Sequence, residues 1–201
     1  MLPLWRLTRN PYAKRLHDSL DGLGLTVSVL QVYTRALDTP SEPATAGGRF
    51  RYHEPSALDA SFRDSDALDR ADRVVAAYTG GERVGSVLVT VDESVYVDPL
   101  HRPFEPDGAY VWRLYVAPDS RGQGLGRRLV RAALWAATET NGPVDRASAL
   151  VARDNVPSQR VFAAVGFEPR RELRYLRAPG FERRSSRPLT PSPESNIAGN
   201  K

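Results

Sequence analysis

The sequence predicts an α/β (α+β) fold, in which helices flank a central sheet. Two observations lead to this prediction. Runs rich in β-branched and aromatic residues alternate with segments whose apolar residues recur every three or four positions, so strands and helices are interleaved. In addition, a strongly apolar strand pattern runs into a glycine-rich turn that opens directly into a helix pattern. The 201 residues suffice for one domain with appendages.

The first part of the chain predicts two helices, one strand and one loop. An Asn-Pro pair, typical of a helix start, and apolar residues at four-residue spacing predict a short amphipathic helix over residues 10–24. Residues 26–33 are rich in strand formers, and residues 38–48 are rich in proline, glycine and small polar residues. These patterns predict a strand followed by a loop. A second helix is predicted over residues 56–72.

The middle of the chain predicts a β-hairpin and one further strand. The hairpin combines strands over Arg73–Thr79 and residues 83–91, joined by a turn at residues 80–82, two of which are glycine. Residues 92–107 are predicted as a loop. Ala109–Val116, with the sequence AYVWRLYV, is a strongly apolar and aromatic strand pattern.

The last part of the chain alternates helix and strand patterns. The glycine-rich turn covers residues 121–126, and the apolar spacing that starts at Leu125 predicts a helix that residues 141–143 end. Three shorter elements follow, namely a strand over residues 147–152, a helix over residues 157–165 and a strand over residues 167–176.

The predicted elements divide the chain into three parts. We expect an N-terminal helical extension over residues 1–23, one folded domain over residues 24–178 and a disordered tail over residues 179–201. The tail is assigned because its sequence contains prolines and serines but no apolar periodicity.

The composition excludes several classes of site. The chain has no cysteine, which excludes disulfides and thiolate metal sites, and the histidines His17, His53 and His101 lack the spacing of metal ligands. No apolar run approaches the roughly 18–20 residues that span a bilayer, and residues 1–9 lack the apolar core of a signal peptide. We therefore expect a soluble, cytoplasmic protein with no metal and no membrane partner.

The charge of the chain is compatible with two classes of ligand. The formal net charge is +4 and the sequence pI is about 9.6, which suits nucleic acid or an anionic small molecule. Nearly all basic residues are arginine, whose planar fork matches phosphate. The charge alone does not distinguish the two classes.

The segment that joins the Ala109–Val116 strand to the next helix carries the strongest functional signal. The first N–H groups of a helix have no partner within the helix, and they carry the positive end of its dipole. Glycine in the preceding turn lets an anion approach the backbone. Four arginines add positive charge nearby, namely Arg121, Arg127, Arg128 and Arg131. The combination predicts a cradle for a diphosphate.

Two well-known phosphate loops do not match this segment. A P-loop needs Gly-Lys-Ser/Thr at the helix start, but Gly126 is followed by Arg127-Arg128. A dinucleotide fingerprint that starts at Gly122 would need glycine or alanine where Arg127 stands. The pattern that does match is R-x-x-G-x-G, formed by Arg121, Gly124 and Gly126.

With this pattern the sequence resembles the GNAT (N-acetyltransferase) superfamily of acyltransferases. A second signature of the family is matched from Asn155 to Gly166-Phe167, with a small residue, Ser158, three positions after the asparagine. The two signatures and the strands between them extend the resemblance over residues 73–176. The resemblance implies a central mixed, mostly antiparallel sheet with flanking helices, whose fourth and fifth strands splay apart.

The resemblance also implies acetyl-CoA as co-substrate. The pantetheine arm would pair with the fourth strand, which ends at Leu114-Tyr115-Val116, and Asn155 would contact the arm. Backbone N–H groups of residues 122–127 would hold the pyrophosphate. The implied coenzyme-binding residues are Leu114, Tyr115, Val116, Arg121, Gly122, Gln123, Gly124, Leu125, Gly126, Arg127 and Asn155.

The proton carriers of the family are replaced in this sequence. Many members use a tyrosine of the second signature as general acid, and that position is Phe162. The ribosomal-protein N-terminal acetyltransferases have a glutamate base five residues before the asparagine, where this chain has Leu150. The histone-acetylating branch has a glutamate on the fourth strand, where this chain has Tyr110.

Substitute proton carriers are sought on the fourth strand and just before it. Tyr110 and Asp107 are our candidates for catalytic residues, with Tyr115 and Glu105 as further ionisable neighbours. General acid–base help contributes about 10²–10⁴-fold, so its loss slows acyl transfer without abolishing it.

Three functions follow from these patterns. The main hypothesis is an N-acyltransferase acting on a small-molecule or peptide amine, and homodimer formation is possible for such a protein. A non-catalytic acyl-CoA sensor on the same fold is the alternative that Phe162 and Leu150 motivate. A nucleic-acid-binding protein is compatible with the pI, but the chain has no recognised nucleic-acid motif and we expect no such partner. Protein N-termini, lysines, polyamines, antibiotics and amino acids all stay open as acceptors.

Overall fold

The computed structural model describes residues 25–37, 49–58, 68–141 and 144–189. In these ranges the strands are β1 (Thr26–Ala36), β2 (Phe50–His53), β3 (Arg73–Thr79), β4 (Glu82–Val91), β5 (Val95–Val97), β6 (Arg102–Phe104), β7 (Ala109–Val116), β8 (Arg146–Ala152), β9 (Glu168–Ala178) and β10 (Phe181–Pro188). The α-helices in the same ranges are α1 (Leu125–Asn141) and α2 (Val156–Ala163).

Eight of these strands form one sheet in the order β10-β9-β1-β8-β7-β4-β3-β2, while β5 and β6 pair separately. Neighbouring strands of the large sheet are antiparallel except β7 and β8, which are parallel and are connected through α1. A parallel pair needs such a crossover, because a tight turn cannot return the chain to the same end of the sheet. The predicted mixed, mostly antiparallel sheet is confirmed.

The parallel pair β7/β8 is only two residues long. Ala109 pairs with Ala147 and Tyr110 with Ser148, and no pairing joins the two strands beyond this point. β7 continues to Val116, so the strands splay apart along most of its length. The splay that the family resemblance implied is therefore present between β7 and β8.

Gly108 lies at the closed end of the splay, where the backbone before β7 comes close to the start of β8. Its φ is +82°, and a Cβ built on it would lie 2.4 Å from the carbonyl oxygen of Arg146, at the start of β8. Glycine is required here for two reasons. Residues with a side chain rarely adopt this φ, and a Cβ does not fit between the two backbones.

A β-bulge lies in the open half of β7. Ser86 pairs with Tyr115 and Leu88 with Trp112, so two residues of β7 oppose the single Val87 of β4. One of the two, Arg113, has φ +50°, which is rare for a residue other than glycine. Beyond the bulge, each side chain of β7 therefore points to the face opposite to the one that uninterrupted alternation would give.

The two faces of the sheet carry separate cores. On the helix face, buried residues of α1 and α2 pack against the sheet together with Val111, Ala149 and Val151. On the opposite face, which we call the hairpin face, the β5/β6 hairpin covers Tyr110 and residues of β1 and β9. Beyond the bulge, Leu114 and Val116 pack against the core of the helix face, as the exchange of faces requires. The core formed with α1 and α2 therefore lies on one face of the splay only.

Most predicted elements inside the described ranges are confirmed. These are the hairpin of β3 and β4, the strands β1, β7, β8 and β9, and the helices α1 and α2, with boundaries that differ from the prediction by at most three residues. The predicted helix over residues 10–24 and the loop over residues 38–48 lie outside the described residues. No helix in the described ranges is long and apolar enough to cross a lipid bilayer.

Two predictions for single segments are wrong in part. The loop over residues 92–107 contains β5, β6 and a 3-10 turn at Asp98–Leu100, because its few apolar side chains are buried against the hairpin face. The helix over residues 56–72 is not continuous, since a 3-10 turn at Pro55–Ala57 is followed by an extended Leu58. Residues 59–67 of that prediction lie outside the described ranges.

The predicted disordered tail also needs correction, because β10 pairs with β9. The side chains of β10 are exposed and show no apolar alternation. The strand is held by backbone pairing and by Arg187, whose Nε lies 3.0 Å from Oε1 of the buried Glu172. Burial alone would raise the pKa of Glu172, but Arg174 and Arg187 outweigh burial and lower that pKa. Residues 190–201 lie outside the described ranges.

Replacement of Gly108 by alanine should destabilise the fold through the closed end of the splay. The new Cβ would clash with the Arg146 carbonyl, which adds about 1–3 kcal/mol of overpacking to about 1–2 kcal/mol for the left-handed conformation. Denaturant unfolding measures the loss. Gly81→Ala is the matched control, because Gly81 also has a positive φ of +87° but a Cβ there meets nothing within 4 Å. If both variants lost the same free energy of unfolding, Gly108 and the Arg146 carbonyl would not be in close contact.

Candidate functional site

The open end of the splay leads into a cavity of about 780 Å³ between α1 and α2. Its walls come from the end of β7, the following turn, the first turn of α1 and one side of α2. The lining residues are Leu114, Tyr115, Val116, Ser120, Arg121, Gly122, Gly124, Leu125, Gly126, Arg127, Asn155, Pro157, Ser158, Arg160, Val161 and Ala164.

The turn before α1 presents unpaired backbone donors to this cavity. Gly122 and Gly124 have φ of +75° and +74°, so glycine is required by the backbone. The first hydrogen bond of the helix joins the N–H of Arg128 to the carbonyl of Gly124 at 3.2 Å. The N–H groups of Leu125, Gly126 and Arg127 precede it and have no acceptor within the helix. They carry the positive end of the helix dipole.

The cavity is positively charged. Arg121, Arg127 and Arg160 line it, and none of the described residues in its wall is acidic. Arg121 is anchored by donating from Nε to the carbonyl of Val116 at 2.9 Å. Guanidinium groups and free N–H groups together form the donor set that binds phosphate oxygens. The site therefore suits a polyanion rather than a cation.

The start of α2 is fixed to the end of β8 by side-chain hydrogen bonds. Asn155 is the N-cap, and its Oδ1 accepts from the N–H of Ser158 at 3.2 Å. Gln159 donates from Nε2 to the carbonyls of Ala152 at 3.2 Å and Arg153 at 2.7 Å. Because Oδ1 of Asn155 caps the helix, its amide nitrogen is the atom that can serve a ligand in the cavity.

Close packing of the two helices gives the cavity its floor. A Cβ on Gly126 would lie 3.3 Å from Cγ2 of Val161, so glycine lets α1 approach α2 closely. A Cβ on Gly124 would lie 3.3 Å from Nη2 of Arg127, at the flexible end of an exposed side chain. A side chain at Gly126 would therefore meet the α2 wall, whereas one at Gly124 would meet the charged rim.

Ten of the eleven residues expected at the coenzyme line this one cavity. The exception is Gln123, whose side chain donates to the carbonyl of Asp119 at 3.3 Å. Ser120 and the α2 side of the wall were not among the expected residues. Pro157, Val161 and Ala164 recur at helical spacing after Asn155, so the helical period of the second signature would have located them.

The structure does not bring the two candidate catalytic residues to the cavity. Asp107 precedes β7 at the closed end of the splay, where it is exposed and ion-paired with Arg146. The Tyr110 side chain is buried on the hairpin face, with its ring centroid 5.1 Å from that of Phe104. Burial raises the pKa of Tyr110, and the charge of Arg113 offsets this only in part. Neither side chain is among the cavity wall residues.

Phe162 belongs to the core rather than to the cavity wall. It is 4% exposed, and its ring packs edge-to-face on Phe167 with centroids 5.2 Å apart. Leu150 lies on the hairpin face and is half-buried there. The residues with a hydroxyl group in the cavity wall are Tyr115, Ser120 and Ser158, and Tyr115 is 37% exposed.

Comparison with protein families identifies the architecture. The model of the acetyltransferase (GNAT) family matches residues 34–167, which is more than half of the chain. Among solved structures, a GNAT-family protein from Novosphingobium aromaticivorans is 16% identical, with a TM-score of 0.54. The match covers 82% of this chain and 66% of that one.

A second solved structure shares the fold at similar distance. It is the GCN5-related glucosamine N-acetyltransferase region of a fungal multi-domain β-N-acetylglucosaminidase, which is 12% identical with a TM-score of 0.50. The match covers 84% of this chain and 23% of the fungal one. The chain thus spans less than two thirds of the length of either structure. No match was found among curated proteins.

The position of Phe162 can be tested by adding a hydroxyl group. Phe162→Tyr should lower the free energy of unfolding by about 1–3 kcal/mol, because the hydroxyl would be buried in the core without a partner. Phe181→Tyr is the matched control at a position that is 51% exposed, and it should stay within about 0.5 kcal/mol of the parent. Full stability of Phe162→Tyr would mean that the ring reaches the cavity instead.

Proposed function

Because the chain belongs to the acetyltransferase (GNAT) family, we propose that it transfers an acetyl group from acetyl-CoA to an amine. The observation that carries this proposal is the start of α1, where three free N–H groups and three guanidinium groups face one cavity at the open end of the splay. These donors match the pyrophosphate of a coenzyme. The splay itself offers an unpaired strand edge beside them.

The proposed pose follows from these two features. The pyrophosphate would accept hydrogen bonds from the N–H groups of Leu125, Gly126 and Arg127. The pantetheine arm would extend along the free edge of β7 from Val116 towards the bulge, as an added strand. The amide nitrogen of Asn155 would donate to the arm. The thioester would then lie inside the splay, between β7 and β8.

The reaction needs few protein groups. The lone pair of a neutral amine attacks the thioester carbon, a C–N bond forms, and the C–S bond breaks. The amine loses one proton and the leaving thiolate of CoA gains one. A backbone N–H on the free edge of β7 would stabilise the oxygen while it carries negative charge. Proton transfer would pass through water or Tyr115, since Phe162 has no proton to give.

One observation supports a second candidate function. The side chain at the usual general-acid position is a buried phenylalanine, and both sequence candidates for proton carriers, Tyr110 and Asp107, lie away from the cavity. A non-catalytic acyl-CoA sensor would need the phosphate cradle but no proton carrier. Both functions predict that the protein binds acyl-CoA, so the two must be separated by turnover.

Acetyl-CoA should raise the melting temperature of the protein. Ligand at 100 times its Kd adds about 2.7 kcal/mol to the free energy of unfolding. Gly124→Glu should abolish the shift, because the new carboxylate would sit in the cradle and pair with Arg127. Gly81→Glu is the control, since it places the same side chain at a positive φ in the β3/β4 turn. Absence of any shift with common acyl-CoAs would refute the coenzyme site.

Turnover separates the enzyme from the sensor. We expect purified protein to release free CoA when acetyl-CoA and a suitable amine are both present, and CoA release is followed with a thiol reagent. The chain has no cysteine that would consume the reagent. Stabilisation by acetyl-CoA without CoA release over a broad amine panel would favour the sensor.

A further inference from the structure

The strand β10 forms one edge of the large sheet. It pairs with β9 on one side, and in the described part of the chain no strand pairs with its other side. The side chains of all eight residues of β10 are exposed. An uncovered edge strand offers a row of backbone donors and acceptors to another extended chain.

The pairing of β9 with β10 shows which backbone groups of β10 are free. The N–H of Leu189, just after β10, donates to the carbonyl of Arg170 at 2.8 Å. Hydrogen-bonded and non-hydrogen-bonded pairs alternate in an antiparallel ladder, so the odd-numbered residues of β10 bond to β9. The N–H and C=O groups of Glu182, Arg184 and Ser186 therefore point to the free edge.

Several arginines lie on the helix face of this edge. The side chain of Tyr175 in β9 is buried on the hairpin face. Because side chains alternate along a strand, Arg174 and Glu172 of β9 lie on the helix face. Arg187 of β10 is paired with Glu172, so Arg187 and Arg183 lie on the helix face as well.

A single carboxylate serves the arginines of this face. Oε1 of Glu172 lies 2.7 Å from Nε of Arg174 and 3.0 Å from Nε of Arg187, and its Oε2 lies 4.0 Å from Nε of Arg153. Among the described residues, Glu172 is the one carboxylate within salt-bridge distance of these three arginines or of Arg183. Glu172 is 1% exposed, whereas the side chains of Arg174 and Arg187 are 44% and 54% exposed. The surface at the helix face of the edge therefore carries an excess of positive charge.

The remaining carboxylates of the two strands are paired elsewhere. Glu168 forms a salt bridge with Arg170, and Glu182 forms one with Arg184. The guanidinium carbon of Arg184 also lies 4.9 Å from the centroid of the Tyr175 ring. On the hairpin face, the arginine of β10 thus has partners within the fold, whereas the helix face has more arginines than carboxylates.

The sequence that flanks this edge does not carry the missing negative charge. Residues 1–24 lead into β1 and contain four basic and two acidic side chains, and residues 190–201 follow β10 and contain one of each. Residues 38–48 and 59–67 have a net negative charge, but they lead to β2 and β3, which form the opposite edge of the sheet. An acidic ligand of the β10 edge would therefore come from another molecule.

A second copy of the chain and a nucleic acid both fit this edge less well than an acidic peptide. Two copies joined through β10 would place Arg184 opposite itself, or Arg183 opposite Arg187, in the two antiparallel registers that pair most of the strand. Like charges directly opposite each other destabilise such a pair. A nucleic acid would match the arginines but not the alternating N–H and C=O groups of the edge. An extended acidic peptide matches both.

We propose that the free edge of β10 binds an extended acidic peptide of another protein as an added strand, with acidic side chains beside Arg183 and Arg187. Because side chains alternate along a strand, the acidic residues of the peptide occupy every second position. The peptide site is separate from the coenzyme cavity, whose wall contains no residue of β9 or β10.

The pattern of acidic residues is tested with two labelled peptides of eight residues. One alternates threonine and glutamate, which places all its glutamates on one face, and the other has four threonines followed by four glutamates. Binding to the full chain is measured by fluorescence anisotropy. We expect the alternating peptide to bind at least about threefold more tightly, because its charges lie directly beside the arginines of one face.

The backbone pairing is tested by N-methylation of the alternating peptide, which needs no protein variant. Every second N–H of an added strand faces β10, and the others face solvent. Methyl groups on one alternate set of nitrogens should therefore abolish binding, and methyl groups on the other set should leave it. If both methylated peptides lost binding to the same extent, strand addition would be refuted.

A charge reversal tests the arginines of the helix face. Arg183→Glu should weaken binding of the alternating peptide at least about fivefold, because it replaces an attraction by a repulsion. Arg177→Glu is the matched control, since Arg177 is exposed on the hairpin face, where it is paired with Glu182. The control should change binding less than about twofold. Both variants should keep the effect of acetyl-CoA on melting, because neither residue lines the cavity.

Four results would overturn the proposal without affecting acetyl transfer. These are the absence of saturable binding of either peptide, unchanged binding in Arg183→Glu, displacement of the peptide by acetyl-CoA, and tighter binding of single-stranded DNA of eight nucleotides than of the alternating peptide. A dimer that sedimentation detects in the parent and not in Arg183→Glu would instead assign the edge to a second copy.

Discussion

The structure depends on the two-residue contact between β7 and β8. The strands are parallel and paired at Ala109 and Tyr110, and they separate immediately afterwards. Gly108 allows the backbones to approach at one end, while the bulge at Arg113 exchanges the side-chain faces of the other end of β7. A longer pairing would close the gap, and no pairing would detach the two halves of the sheet. The opening exists because the contact is short.

The phosphate cradle is a local consequence of sequence. A glycine-rich turn followed by a helix places free N–H groups at the helix start wherever that helix lies in the fold. Arg121 and Arg127 lie within a few residues of the turn, so their place at the cavity could also be predicted. The α2 wall was less visible, because the helical period shows which residues of α2 share a face but not that this face packs against Gly126.

Features that depend on contacts between distant parts of the chain could not be predicted from the sequence. Tyr110 and Asp107 lie on or beside the correct strand, but the alternation of faces and the direction of β7 carry them away from the cavity. Phe162 matches the position of a catalytic tyrosine, yet its side chain fills the core. β10 has no apolar pattern to reveal it, because its pairing with β9 and its contact with Glu172 involve the backbone and one ion pair. Local sequence patterns predicted the coenzyme loop, whereas tertiary packing determines which other residues line the same cavity.

The position of β1 in the sheet has a consequence for biosynthesis. β1 lies between β8 and β9, so Leu30 pairs with Ala152 and with Leu173. During translation β1 leaves the ribosome before both of its partners, which are made more than a hundred residues later. Such non-local pairing slows folding and leaves apolar strand edges exposed in the meantime. The nascent chain therefore cannot complete its sheet before β10 has emerged, and β1 stays without its two neighbours until β8 and β9 have been made.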